Sequence, residues 1–245
     1  IPVIGPQLSS VVHPLEGNTA ALIIGIAGTI YGSLGVGFAS QNAMNTVWNI
    51  PYVQWPNIWI RYARTFGVIG LLGLAVVSST ALAVFATAVA HGPAASVLAV
   101  AGSVLLNLGL FLLAFMVLTA EPLRPRDVAV GVITAAVFWE TLQLIGAWFV
   151  SRGLHHASPT YGVFAVVITL LSWLYLGAQL TLLAAEINVV LRYRLWPRSL
   201  TQPPLTRADR LTLARLARME TRRPEEVVST AFTGAADEDP LRGLP

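Results

Sequence analysis

Long apolar runs separated by short polar connections set the pattern of this chain. Runs near the ~20 residues that a helix needs to cross a bilayer occupy about 20–40, 66–90, 94–119, 128–150 and 163–190. Between the first two lies 41–65, where Trp48, Tyr52, Trp55, Trp59 and Tyr62 alternate with asparagines and lead into Arg61 and Arg64. Such rings gather where an apolar face and a polar edge are both satisfied, so the stretch reads as an interfacial segment. His91-Gly92-Pro93 marks a tight turn, and the prolines of Glu121–Asp127 interrupt any helix there. The last two runs form a hairpin from Phe138 to Asn188 around the polar connection 151–162. The first 18 residues, with Pro2, Pro6 and Pro14, read as an interfacial or extracytoplasmic approach segment. After Ser199 the membrane pattern ends, leaving a short helix near Ala208–Glu220 with Leu213, Leu216 and Ala217 as its apolar face, then a disordered end. The pattern predicts an all-α, polytopic transmembrane helical bundle over 1–198 and a cytoplasmic tail over 199–245.

Composition supports this. The chain is 55% hydrophobic and 11% charged, with mean hydropathy +0.68, whereas soluble domains carry roughly 25% charged residues. All 15 basic side chains are arginine. Up to Val190 arginines and carboxylates balance, so the net +3 belongs to the tail. With the tail inside, the cytoplasmic segments hold Arg61, Arg64, Arg124, Arg126 and the tail arginines, and the outer segments only Arg152. The positive-inside rule therefore places the carboxyl end in the cytoplasm. Two arginines among the rings of 41–65 are too few for a nucleic-acid groove. Arg207, Arg210, Arg218, Arg222 and Arg223 suit anionic headgroups or a solvated helix equally. Cysteine is absent, which removes disulfide and thiolate chemistry. His155 and His156 have no third ligand in view, so no metal site and no cofactor are expected.

Helical spacing sorts the remaining polar groups into stripes. Ser172, Tyr175, Gln179 and Glu186 share a face of the last run, Glu140 and Gln143 a face of the preceding one, and Ser96, Ser103 and Asn107 a face of the run before. Lipid favours apolar surface, so the three stripes are expected to meet in a polar seam. Glu140 lies 13 residues past Asp127, or ~20 Å along a helix. A charged carboxylate left in lipid at that depth costs about 3 kcal/mol, so it needs a partner, a proton or water. Glu186 sits near the inner interface with Asn188 and is expected to pair with Arg192 or Arg194. Gly25, Gly28, Gly32 and Gly35 stand at spacings that let two membrane helices approach closely. No phosphate-binding Lys-Ser/Thr follows them, and no nucleophile elbow or catalytic cluster is present. No catalytic residue and no enzyme activity are expected.

Three stretches resemble the YihY/BrkB family of bacterial inner-membrane proteins: Ala43-Met-Asn45-Thr-Val-Trp48 with Arg61; the Val137-Phe-Trp139 region; and Tyr161-Gly162, Trp173-Leu-Tyr175 and Ala185-Glu186-Ile-Asn188. The likeness covers about 15–195, and the tail is similar to that of actinobacterial members. Family members usually carry Gly-Ala-Glu where this chain has Ala184-Ala185-Glu186, a departure that removes a close-approach glycine. The resemblance implies six spans with both termini cytoplasmic. The opening IPVIGPQL, without an initiator Met, is then read as the start of a fragment whose first span lies upstream. An older ribonuclease label on the family finds no catalytic cluster here. The resemblance, with the expected seam, implies a transporter or flippase-like exporter of a lipid, amphiphile or small solute. A non-transporting scaffold of an envelope complex and a lipid-headgroup enzyme are the alternatives. Expected partners are membrane lipids and a second copy or another envelope protein, not nucleic acid.

Overall fold

The computed structural model describes residues 19–89, 93–153, 162–201 and 204–232. Among them the regular elements are α1 (Thr19–Val47), a 3-10 turn (Tyr52–Gln54), α2 (Ile58–Val89), α3 (Pro93–Leu118), α4 (Pro125–Gly153), α5 (Gly162–Tyr193) and α6 (Arg207–Met219). Helices α1 to α5 are long and apolar enough to cross a membrane, so the protein is a polytopic helical bundle. The approach segment 1–18, the His91-Gly92 turn, Tyr161, the His155–His156 loop and the end from Gly234 lie outside the described residues.

The 41–65 stretch, expected as an interfacial connection, is helical at both ends, and only 48–57 links α1 to α2. Its polar groups stay helical because they satisfy one another, which lowers their cost near lipid. Gln41 Nε2 donates to Arg61 O at 3.0 Å and to Thr65 Oγ1 at 2.9 Å. Arg61 Nη2 donates to Asn42 Oδ1 at 2.7 Å, and Ala120 N to Asn45 Oδ1 at 2.8 Å.

Two helices end in a left-handed residue, Asn49 after α1 and Arg194 after α5, each with φ of 52°. The following amides close the turns: Ile50 N donates to Asn45 O and Leu195 N to Val190 O, both at 3.0 Å. Asparagine tolerates this conformation, whereas arginine meets the Cβ–carbonyl conflict of about 1–2 kcal/mol.

Among the described residues, packing is concentrated at the end of the bundle that carries the tail. Met44, Trp48, Phe115, Leu123, Val128, Val132, Ala184, Val189 and Tyr193 form the core there. The helices α4 and α5 pack on each other, α2 lies on α3, α3 on α4, and α1 touches α2, α3 and α5. A Cβ on Gly131 of α4 would lie 2.2 Å from Asn188 Nδ2 and 2.4 Å from the Ala184 carbonyl oxygen. The close approach at Ala184 is thus made by the facing glycine, Gly131. Gly37 plays the same part against Thr65, where an added Cβ would come within 2.3 Å.

The glycines singled out for packing meet no partner among the described residues: nothing lies within 4 Å of a Cβ built at Gly25, Gly28, Gly32 or Gly35. In the first half of α1 Leu22, Ile24 and Tyr31 are exposed. The close glycine contact of this helix is at Gly37, beyond the stripe.

The tail helix belongs to the fold. Leu211 joins the core, the Arg215 guanidinium lies 3.4 Å from the centre of the Tyr193 ring, and Arg215 Nη2 donates to Trp48 O at 3.4 Å. Its inward face is Ala208, Leu211 and Ala214, while Leu213 and Leu216 are exposed. The small alanines flank Leu211 and allow the close approach, so this face and not the one carrying Leu213 and Leu216 is buried.

Candidate functional site

The chain forces Asp127 into the first turn of α4 by starting that helix at Pro125. Arg124 N donates to Asp127 Oδ2 at 3.0 Å and Asp127 N to Arg124 O at 2.9 Å, which anchors the helix start. Glu140 then projects from the middle of α4 beside α3, where Asn107 Nδ2 donates to its Oε1 at 2.8 Å. Both side chains are half-buried. Among the described residues Glu140 Oε2 has no protein partner. Gln143, one turn on, is also half-buried and unpartnered among the described residues. Ser103 shares the Asn107 face but spends its hydroxyl on the Val100 carbonyl at 2.9 Å. The seam is therefore a short α3–α4 cluster.

The α5 stripe does not join it. Ser172 and Glu186 are exposed, Tyr175 is 63% exposed, and Gln179 Nε2 donates to the Tyr175 hydroxyl at 3.0 Å. What turns α5 is its other face. Trp173 fills the space that a Cβ on Gly146 would need, a Cβ on Gly177 would lie 3.6 Å from the Trp139 ring, and Asn188 Oδ1 accepts from Gly131 N at 2.6 Å. These contacts fix the helix rotation with the polar stripe outward.

Glu186 takes neither of its expected partners. Arg192 pairs with Asp127 and lies 3.9 Å from Glu121, and the Tyr193 hydroxyl donates to Glu121 Oε2 at 3.2 Å. Glu186 has no ion pair among the described residues, and Arg194 points away from it into the region beside α6.

One cluster was not anticipated. The side chain of Asp209 is 1% exposed and accepts from the Thr206 hydroxyl at 2.7 Å, from Arg198 and Ser199 N at 3.1 Å, and from Thr206 N at 3.0 Å. The Thr206 hydroxyl, with the two backbone amides and Arg198, holds this carboxyl far below the usual carboxylate range, against the opposing effect of burial. The signal was in the chain: Thr206-x-x-Asp209 is a capping pattern at the start of α6.

The family model described as Virulence factor BrkB matches residues 3–208. The chain belongs to the BrkB family. No curated protein and no solved structure matches it. The BrkB match ends at Ala208, so nearly all of α6 lies beyond it, although α6 supplies Leu211 to the core. The Asn107–Glu140 pair and the Gly131–Asn188 contact both fall inside the matched region.

Proposed function

We propose that this BrkB-family protein is a transporter or flippase-like exporter of a lipid, amphiphile or small solute, seated in a bacterial plasma membrane with its tail in the cytoplasm. The observation that carries the reading is the Asn107–Glu140 pair, a half-buried carboxylate deep in two apolar helices with one oxygen uncommitted among the described residues. Ionisable groups at such depth mark ion and substrate pathways. A purely structural acid would have both oxygens occupied, as Asp209 has. The orientation is supported by the positive-inside rule applied to the arginines, of which Arg61, Arg64, Arg192 and Arg215 make contacts near the tail-side core.

The test is reconstitution in liposomes with labelled lipids. Glu140→Gln keeps the acceptor for Asn107 and removes the charge, so it should leave the fold intact and lower translocation by about tenfold or more. Equal rates in loaded and empty vesicles, with no effect of E140Q, would overturn the proposal. A second reading, a scaffold that binds another helix, is favoured by the uncovered Gly25–Gly35 stripe and the outward Tyr175–Gln179 pair. That reading expects E140Q to be silent in the same vesicles.

A further inference from the structure

Where α5 leaves the apolar region, the chain turns at Arg194 and returns as α6, enclosing a cavity of about 690 Å³ open at the surface. Its walls include Arg192, Arg194, Trp196, Thr206, Arg207 and Leu211 and, among the described residues, no carboxylate. Arg192 is already neutralised by Asp127 and Glu121. Arg194 and Arg207 are exposed and have no carboxylate partner among the described residues.

Folding alone does not favour either arginine where it stands. Arg194 occupies the left-handed position at the end of α5, which glycine adopts freely and arginine does not. Arg207 is the first residue of α6, at the positive end of the helix dipole, where a cation is repelled. Both disfavoured placements bring a guanidinium to the same cavity. A strained residue at a cavity wall points to function at that wall.

The surroundings identify the ligand. The span that ends at Tyr193 puts the cavity at headgroup depth. Trp196 at its rim is 78% exposed and Leu200 in the following loop 103% exposed, as suits rings and apolar side chains resting in a bilayer interface. Guanidinium groups bind phosphate oxygens through paired N–H donors. We infer that this cavity is a binding site for the phosphodiester headgroup of an anionic lipid in the leaflet that the tail faces. The inference stands apart from the transport reading, since it concerns a resident lipid and not cargo.

The test uses the full chain in detergent, with native mass spectrometry reading bound phosphatidylglycerol against phosphatidylcholine of the same acyl chains. Each free arginine should contribute about fivefold in affinity. Phosphatidylglycerol should therefore bind more tightly, and Arg194→Gly with Arg207→Gln should bring it to the phosphatidylcholine level. Arg222→Gln with Arg223→Gln, remote from the cavity, should stay within about twofold of the parent. Arg194→Gly alone separates a ligand role from a structural one: it relieves the backbone conflict, so the melting temperature without lipid should hold or rise while phosphatidylglycerol affinity falls. Equal binding of the two lipids, or full phosphatidylglycerol binding by the double cavity variant, would overturn the inference. So would displacement of the lipid by low millimolar inorganic phosphate, which would make the site one for a soluble anion.

Discussion

The two ends of this bundle are built on different principles. At the tail side every helix contributes to one interlocked mass in which Gly131 meets the Ala184 backbone, Gly37 meets the Thr65 side chain, and buried polar groups such as Gln41, Asn45 and Asn188 hydrogen-bond between segments. Toward the other end the first half of α1 is largely exposed, and among the described residues nothing lies within 4 Å of a Cβ built on its glycines. The same residue type thus does opposite things on two helices. Glycine spacing decides only that an approach is permitted; whether one occurs depends on what the rest of the chain brings alongside.

The sharpest way to break this contrast is to add one methyl group at each end. Gly131→Ala forces backbone against backbone and should cost about 3 kcal/mol, read as a lower melting temperature or loss of monodisperse protein in detergent. Gly28→Ala enters open space and should change stability by less than about 1 kcal/mol, in the favourable direction because alanine is the better helix former. Similar losses at both would erase the difference between the ends.

A smaller effect should follow from loosening the tail. Asp209→Asn turns an amide toward donors that now meet a carboxylate, so limited proteolysis between Ser199 and Thr206 should accelerate by about tenfold while the spans stay intact. The pH dependence has a definite sign. The folded carboxyl lies below its unfolded value near 3.8, so its contribution is complete above that pH and disappears as the pH falls through the folded value. Cleavage of the parent should be constant from neutral pH down to about pH 5 and rise only in stronger acid. An Asp209→Asn protein should show no such acid step from this site.

The mildest perturbation lies between the ends. Asn107→Leu removes one interhelical hydrogen bond of a kind worth about 0.6 kcal/mol, so the melting temperature should barely move. A large loss would make Asn107–Glu140 part of the structural mass and would weaken the case for function there.

Much of the fold was legible because a bilayer demands unbroken apolar runs, and those runs mark α1 to α5. The boundaries at 41–65 were not, because Gln41, Asn45 and Arg61 look too polar for a helix in membrane until their mutual hydrogen bonds are seen. Periodicity grouped Tyr175, Gln179 and Glu186 on one face of α5 correctly, but it could not say which way that face turned. The rotation is set by Trp173 against Gly146 and Asn188 against Gly131, contacts between residues far apart in sequence. Asn107 and Glu140 were brought together because each is the polar residue near the middle of an apolar helix, and α3 and α4 are neighbours joined by a short connection.

The contact between Arg215 and Trp48 spans 167 residues, and it bears on the order of synthesis. A ribosome adding 5–20 residues per second needs on the order of 10–30 s to make that stretch. Throughout that time α1 rests in the membrane with the Trp48 carbonyl and one wall of the core waiting for α6. A truncated chain that stops before Ala208 can insert all five apolar helices and still present an unsealed end to the quality-control proteases of the cell.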